Sequence, residues 1–504
     1  MMADTIDSNV TGARIAEELT PGVLPGTPVW DVLEPNSYDD FGSEITTAAR
    51  NPLNPSRQRK KGSVVDLDAS GGFQQDFTET GLLKLMQGFL FADAHIPGDT
   101  KPIVGTAVPI TSTTSGSKTY SAASSLGGFS AGDLVLMSGF AQAANNGLKT
   151  VVSSTATTVV VSEAVGASEA SPPATARIQK VGKKAAANDL SISVSGSQVT
   201  LVSTTLNLTT LGLVEGSWIF VGSEDNKFAN VNNRCFARAD VISANAIIFG
   251  KTSKTMVTEA AGPAVDILLP VFVRNEPNPD NIKRRTYQLE RTLGRDANGV
   301  MSEYLIGAMS NEFTLNLQQG ELITADLAFI AQDNEQRNGL TGVKAGTRPS
   351  LAVEDAYNAT SDVRRSKMAV VTPGNPNPSA LFGYATEFSI EINNNVSPNK
   401  AIGVLGAFSM TAGTFEVGGS SEVYFSDIAA VQAVRNNADV TQDLILVKKG
   451  AGWVFDIPLL SLGDGRLAVE QDQPIKLPLE TMAAESTLGH TLMVARFPYL
   501  PSFA

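Results

Sequence analysis

The chain has 504 residues, 42% of them hydrophobic and 18% charged, and its 51 acidic and 38 basic residues give a formal net charge of −13. This length predicts more than one domain, and the apolar content excludes an intrinsically disordered chain. The acidic balance argues against nucleic-acid binding through a basic face, which phosphate neutralisation requires. No apolar run approaches the ~18 residues of a membrane-spanning helix. The first residues lack the features of a signal peptide, so we expect no Sec-type export.

Residues that could support catalysis or metal binding are scarce. One cysteine, Cys235, excludes a disulfide framework, and His95 and His490 are the two histidines. The Gly-x-Ser-x-Gly of residues 128–132 precedes a predicted strand, whereas a nucleophile elbow lies between a strand and a helix. The Asp-x-Asp-x-Ser-Gly of residues 66–71 lacks the glutamate that completes a calcium loop. We therefore predict no enzyme activity, no cofactor and no catalytic or metal-binding residue.

The N-terminal part of the chain is predicted to form an arm, a strand pair and a helix. Residues 1–40 are polar and rich in Pro and Gly, and we expect little local order there. Strand-like sequence then lies on both sides of a Pro-rich loop that ends in the basic run 57–61. A helix is predicted over residues 78–91, capped by Asp76 or Thr78. Its apolar residues fall at helical spacing: Leu82, Leu85, Met86, Phe89 and Leu90.

Residues 100–269 differ from the rest of the chain in composition. Ser, Thr, Ala, Gly and Val dominate, and β-branched runs bounded by Gly and Asn predict short strands. Gly132, Gly139 and an Asn pair are followed, about 85 residues later, by Gly216, Gly222 and a second Asn pair. This offset predicts two small β modules in tandem. We expect them to project from the outside of the protein and to be dispensable for its assembly.

The C-terminal third repeats the order of elements found before and after this segment. After residue 380 come a strand, an Asn- and Pro-rich loop, a strand pair at 414–417 and 422–425, a helix and a hairpin. The helix is predicted to begin after Ser426, with Ile428, Val431 and Val434 on its apolar stripe. The predicted organisation is an arm (1–40), a discontinuous first domain (41–99 and 270–345), an insertion (100–269), a linker (346–380) and a second domain (381–504).

Several segments carry a resemblance to a known family. Residues 49–62 and 68–73 resemble tail tube (major tail) proteins of long, non-contractile-tailed bacteriophages. Residues 304–308 and the C-terminal module, residues 384–501, are similar to them too. The modules around residues 129–133 resemble β domains that are inserted in phage tail proteins.

The resemblance implies a mainly β fold with duplicated β-sandwich or barrel tube domains, each with a flanking helix, plus inserted small β modules. Such domains form rings that stack into a hollow tube in the virion, assembled in the bacterial cytoplasm. The lumen encloses the tape-measure protein and later conducts DNA to the host, without specific binding. Further implied partners are the tail tip and terminator proteins. Six tube domains around the bore, two in each chain, imply a ring of three chains.

The resemblance also suggests which residues make contacts. A long loop in the first strand pair typically touches the adjacent ring, which makes Arg57, Arg59, Lys60 and Lys61 candidate inter-ring contacts. By order, residues 393–400 form the second such loop, with Lys400 as its one charge. The candidates for the lumen surface are Asp326, Glu387, Glu391 and Glu416.

Alternatives remain open at this point. The Ser/Thr-rich modules also fit an adhesive or carbohydrate-binding β protein, although that class does not explain the duplicated unit. A hydrolase is disfavoured by the small number of histidines. If the four acids line the bore, Phe388, Ile390, Phe415 and Val417 face the sandwich core. The alternative, in which the four acids face the outer solvent, is about equally favoured.

Overall fold

The computed structural model describes residues 10–50, 53, 55, 58–95, 107–296, 299–350 and 354–504. Two large sheets of sixteen and thirteen strands and one small hairpin contain the strands, and the paired strands are antiparallel. The predicted mainly β fold is confirmed. The N-terminal part forms β1 (Gly12–Glu17), β2 (Asp31–Leu33), β3 (Pro35–Ala49), β4 (Gly62–Asp76) and helix α1 (Gly81–Phe89).

The inserted segment forms the thirteen-stranded sheet. Its strands are β5 (Val108–Pro109), β6 (Ser112–Thr114), β7 (Thr119–Ser121), β8 (Asp133–Ser138), β9 (Gly147–Ser154), β10 (Thr158–Val161), β11 (Arg177–Ala185), β12 (Leu190–Ser195), β13 (Gln198–Ser203), β14 (Ser217–Val221), β15 (Phe236–Ile242), β16 (Ala246–Thr252) and β17 (Val265–Leu268).

The remaining strands and the second helix follow the insertion. They are β18 (Val271–Arg274), β19 (Tyr287–Asp296), β20 (Gly299–Gln318), β21 (Thr324–Ala331), β22 (Asp333–Arg337), β23 (Val363–Val370), β24 (Ala385–Asn393), β25 (Ser397–Asn399), β26 (Ser409–Thr411), β27 (Glu416–Tyr424), α2 (Ala429–Arg435), β28 (Val440–Lys448), β29 (Ala451–Asp464), β30 (Lys476–Ala483) and β31 (Met493–Phe497).

The strand pairing is duplicated in the same order. The pairs β1·β19, β3·β4 and β4·β21 recur as β23·β28, β24·β27 and β27·β30. The central strand β20 pairs with β19, β21 and β22, and its counterpart β29 pairs with β28, β30 and β31. Helices α1 and α2 occupy the same place in each order. We call the two sets copy one and copy two.

Three predictions about how the chain is divided into arm, linker and domains differ from the structure. Little local order was expected for residues 1–40, yet β1 pairs with β19 and buries Ala13 and Ile15. The predicted linker contains β23, which pairs with β28 and so belongs to the sheet of copy two. Strand β18 lies in the range predicted for the first domain but pairs with β31 of copy two. These pairings join residues far apart in sequence, which local patterns do not reveal.

Two local predictions are also corrected. The predicted strand pair after residue 414 is one strand, β27, hydrogen-bonded to β30 along its length. Its glycines suggest a turn, but a Cβ on Gly419 would lie 2.2 Å from the Ser389 carbonyl oxygen, so close strand approach explains that glycine. Helix α2 buries Ala430 and Ala433, whereas Ile428 is 59% exposed.

Helix α1 is shorter than predicted and begins without a side-chain cap. Thr80 is its N-cap residue, so neither Asp76 nor Thr78 caps it, and its side chain makes no capping hydrogen bond. The Thr80 hydroxyl and backbone N–H donate instead to the Glu354 carboxylate. The apolar residues predicted at helical spacing are buried. They belong to one core shared by both copies, which includes Phe313, Ile390 and Phe455.

The two halves of the insertion have equivalent features at equivalent places. Gly132 and Gly216 adopt positive φ immediately before β8 and β14. Asn145 and Asn233 each lie buried in a 3-10 turn. Their side-chain amides donate to a glutamate at 2.7 Å, Asn145 to Glu169 and Asn233 to Glu259. Further 3-10 turns in the chain are Leu208–Leu211, Pro279–Asn281 and Gly339–Thr341.

The insertion packs against copy two through an apolar cluster and a network of buried charges. The apolar cluster joins Trp218 and Phe236 of the insertion to Ile445, Val454 and Phe497 of copy two. The charged network consists of the insertion residues Arg238 and Lys251 and the copy-two residues Arg365, Asp443 and Asp456.

Candidate functional site: an acidic sheet face and two loops

One continuous sheet crosses both copies. Its strand order is β3-β4-β21-β20-β24-β27-β30-β29, which we call the eight-stranded sheet. Strand β20 of copy one and β24 of copy two join the halves, with a register from Glu312↔Asn393 to Gln318↔Glu387. Alternation buries one face of this sheet, including Phe388, Ile390 and Val417, and leaves the other face polar. Phe415 is half-buried against the same core.

The polar face is acidic. The structure brings the four predicted acids, Asp326, Glu387, Glu391 and Glu416, onto this one face, because each lies on a strand position that alternates with buried residues. Lys476 is the one cation in the described strands of the face, and its Nζ lies 2.6 Å from the Glu422 carboxylate. That contact lowers the pKa of Glu422 and raises the pKa of Lys476. Sequence reasoning missed further acids of this face, which the same alternation would have revealed and which include Glu312, Glu422 and Glu480.

Neighbouring amide and hydroxyl groups hold some of these carboxylates in place. Asp326 accepts hydrogen bonds from Gln74 Nε2 at 2.8 Å and from Asn316 Nδ2 at 2.6 Å. Glu391 accepts one from Ser389 Oγ at 3.1 Å. These donors carry no charge, so the face keeps its negative charge while its side chains are ordered.

The basic run lies at one end of the eight-stranded sheet, which we call the loop end. Arg59, Lys60 and Lys61 are exposed in the connection between β3 and β4. None of the three takes part in an ion pair within the described part of the chain. Arg57 lies outside the described residues. Two strands of fifteen residues carry this connection, whereas the equivalent β24 and β27 have nine each.

The second loop lies beside the first hairpin. Lys400 Nζ lies 2.6 Å from Asp66 Oδ2 and 2.6 Å from Asp68 Oδ1 on β4. Its hydrogen bond lowers the pKa of Asp66, and the two carboxylates raise the pKa of Lys400. The one charge of this loop is therefore paired within its own chain.

The remaining candidate groups have structural surroundings. Asp66 to Gly71 lie within strand β4, so no calcium loop forms there. His95 Nε2 contacts Glu276 Oε1 at 2.8 Å, and burial lowers the pKa of His490 to about 4. Burial raises the pKa of the Cys235 thiol to about 11, which disfavours a reactive thiolate. Among the described residues, no group of three or more His, Cys, Asp or Glu side chains is placed to hold a metal ion.

Comparison with protein families identifies the family of this chain. The model of the phage tail tube protein family matches residues 8–483. The chain belongs to the phage tail tube protein family. This confirms the resemblance to phage tail tube proteins and assigns the tail tube protein a structural role in the virion, through self-assembly into a tube. A search of curated proteins finds no match. In the described part of this tail tube protein, neither helix is long and apolar enough to cross a membrane.

Proposed function

We propose that three chains form each ring of the tube, with their eight-stranded sheets joined into one inner barrel. The junction between β20 and β24 carries this proposal, because it is an interface between two copies of one module that already exists within the chain. The counterpart of β24 is β3, and the counterpart of β20 is β29. Both lie at the ends of the eight-stranded sheet.

If the β20–β24 junction that lies within each chain is repeated between neighbouring chains, the ring closes. Strand β3 of one chain would pair with the Leu460–Asp464 part of β29 in the next, as β24 pairs with β20. A head-to-tail contact of this kind generates a ring when its rotation closes, and closure removes the exposed strand edges. Six modules around the bore then require three chains, which supply twenty-four strands.

The acidic face of the eight-stranded sheet is proposed to line the lumen. Asp326, Glu387, Glu391 and Glu416 would repel the phosphates of DNA and so prevent the polymer from adhering as it passes. Within such a lumen the tube would enclose the tape-measure protein during assembly and conduct DNA during ejection. We propose no catalytic step in this function.

The basic run is proposed to bind the next ring. The end of the eight-stranded sheet opposite the loop end exposes several carboxylates: Glu321, Asp427, Glu470 and Asp472. Rings stacked in one direction would place Arg57, Arg59, Lys60 and Lys61 of one ring near these acids of its neighbour. We infer the remaining context from the family: a long non-contractile tail, assembly in the host cytoplasm, and tail tip and terminator proteins at the tube ends.

Electron microscopy of the purified protein tests this function. A reconstruction without imposed symmetry should show three chains per ring, pseudo-sixfold symmetry around the bore and the insertion at three places. Six chains per ring would contradict the proposal, as would a map with the four named acids on the outer surface.

Charge reversal tests the inter-ring contact separately. The triple variant Arg59→Glu, Lys60→Glu and Lys61→Glu should still form rings but stack weakly, and added salt should weaken stacking of the unmodified protein. Reversal of Lys118 and Lys254, which are exposed in the insertion, is the control. Stacking that is independent of salt in both proteins would contradict this contact.

A further inference from the structure

The loop of copy two exposes several apolar side chains and one paired charge, whereas the loop of copy one exposes three cations together with Leu53. Between β25 and β26, Ile402 is fully exposed, and Val404, Leu405 and Phe408 are 49%, 55% and 56% exposed. We call residues 401–408 the apolar loop. Strand β24 ends at the loop end, beside β20. The apolar loop that follows lies next to β4, because Lys400 pairs with Asp66.

Contacts within the chain hold the apolar loop in place. Lys400 is paired with Asp66 and Asp68 at the start of the loop. At its other end the Ala407 N–H donates to the Gln332 carbonyl at 3.3 Å. Gly406, with φ +80°, approaches so closely that a Cβ would lie 2.8 Å from the same carbonyl oxygen. A loop anchored at both ends cannot fold its apolar side chains inward, so they remain available to a partner.

The opposite end of the eight-stranded sheet exposes apolar side chains as well. Register places the β20–β21 turn, the start of β24 and the β29–β30 connection at that end. The exposed apolar residues there include Tyr384 at 78% and Val469 at 69%. The others are Leu322, Leu467 and Ile475. We call these five residues the apolar rim.

The two ends are therefore complementary in two respects. The loop end presents the basic residues and the apolar loop, and the opposite end presents carboxylates and the apolar rim. Exposed apolar side chains that are grouped at one end of a sheet, beside charged residues, are typical of an interaction site. The occupant that matches both the charge and the apolar pattern is a second copy of this chain, stacked in the same direction.

We propose that the apolar loop of copy two binds the apolar rim of the next ring. This inference rests on the proposed stacking of rings and adds a second kind of contact to it. Copy one supplies the salt-sensitive contact through its basic run, and copy two supplies an apolar contact that salt does not screen. Because each chain contains both copies, every ring presents both kinds of loop to the neighbouring ring, and each loop can make a different kind of contact.

Serine substitution in the apolar loop tests the proposal. In the full chain, the triple variant Ile402→Ser, Leu405→Ser and Phe408→Ser should form rings, while the protein concentration needed for tubes rises about tenfold or more. The control variant replaces three similarly exposed valines of the insertion, Val152→Ser, Val231→Ser and Val241→Ser, and should form tubes as the unmodified protein does. The double rim variant Tyr384→Ser and Val469→Ser should match the loop variant.

A mixing experiment gives the stacking direction. Rings of the loop variant keep an intact rim, so they should add to one end of unmodified tubes and then stop growth there. Electron microscopy should show shorter tubes in mixtures with the loop variant and unchanged tubes with the control variant. If the loop variant forms normal tubes at the same protein concentration as the unmodified protein, this inference is overturned but the proposed function is not. Failure of the unmodified protein to form rings or tubes would refute the proposed function and this inference with it.

Discussion

Lys251 of the insertion and Asp443 of copy two form an ion pair of 2.7 Å, and both side chains are buried. Lys251 Nζ also donates to Thr441 Oγ1 at 2.9 Å, and Asp443 accepts a second contact from Arg365. Nearby, Arg238 of the insertion lies 3.1 Å from the buried Asp456. Burial lowers the pKa of Lys251, whereas the pKa of Asp443 stays below its usual range despite burial, because Lys251 and Arg365 favour its charged form. The insertion and copy two are thus joined by buried charges of opposite sign that neutralise one another.

Removing one partner should therefore be costly. We expect Lys251→Met to lower the free energy of unfolding by about 3–5 kcal/mol, because it removes the buried cation that lies 2.7 Å from the Asp443 carboxylate and 3.9 Å from the Asp456 carboxylate. Urea denaturation measures the change. The control is Lys449→Met, which removes an exposed pair with Asp355 and should have no measurable effect. Equal stability of both variants would show that the network is not coupled to folding.

Replacing the whole insertion with a Gly/Ser linker should prevent correct folding, contrary to the expectation from sequence that this segment is dispensable. The replacement would expose Ile445, Val454 and Phe497 and remove the cations that neutralise Asp443 and Asp456. Soluble yield and size-exclusion profiles measure the effect. Polar substitution of these exposed residues in the shortened chain should restore solubility. A soluble shortened chain that forms tubes without such changes would contradict this prediction.

The buried His490 should make stability depend on pH. Burial lowers its pKa in the folded protein to about 4, from 6.5 in the unfolded chain. The unfolded chain therefore binds a proton first as the pH falls. The contribution of neutral His490 to the free energy of unfolding is therefore fully present above pH 6.5. About 3 kcal/mol of it is lost as the pH falls from 6.5 to 4.

Denaturation at several pH values measures this loss. His490→Gln should lack this component, and the difference between the two proteins isolates it from the carboxylates that titrate at lower pH. Parallel pH profiles of the two proteins would show that His490 does not contribute.

Gly216 should be intolerant of a side chain. It has φ +87°, and a Cβ there would lie 2.3 Å from His490 Cε1. We expect Gly216→Ala to lower the free energy of unfolding by about 2–4 kcal/mol, through backbone strain and overpacking. The control is Gly196→Ala, which has φ +62° but no atom within 4 Å of the new Cβ, and should cost about 1–2 kcal/mol. Thermal denaturation compares them, and equal costs would contradict the contact with His490.

Local sequence patterns were sufficient for much of the architecture. Strict alternation around Phe313 and Leu315 and around Phe388 and Ile390 predicts which side chains of β20 and β24 are buried, since strand side chains point to opposite faces in turn. The same alternation placed Glu387 and Glu391 together on the polar face. The duplicated order of elements, the two inserted modules and the position of the basic run between two strands were also visible in sequence.

Tertiary structure decided the contacts between segments that are far apart in the chain. The pairing of β23 with β28, the placement of β18 beside β31 and the joining of the copies by β20 and β24 depend on long-range packing, which local periodicity does not encode. The same holds for Lys400, which a sequence pattern marks as a loop charge and the fold pairs with Asp66. Sequence by itself thus determined many of the strands and which of their faces are apolar, because those depend on neighbours along the chain. Only the tertiary structure decided which buried charges and which exposed loops meet, because that depends on burial shared between distant residues.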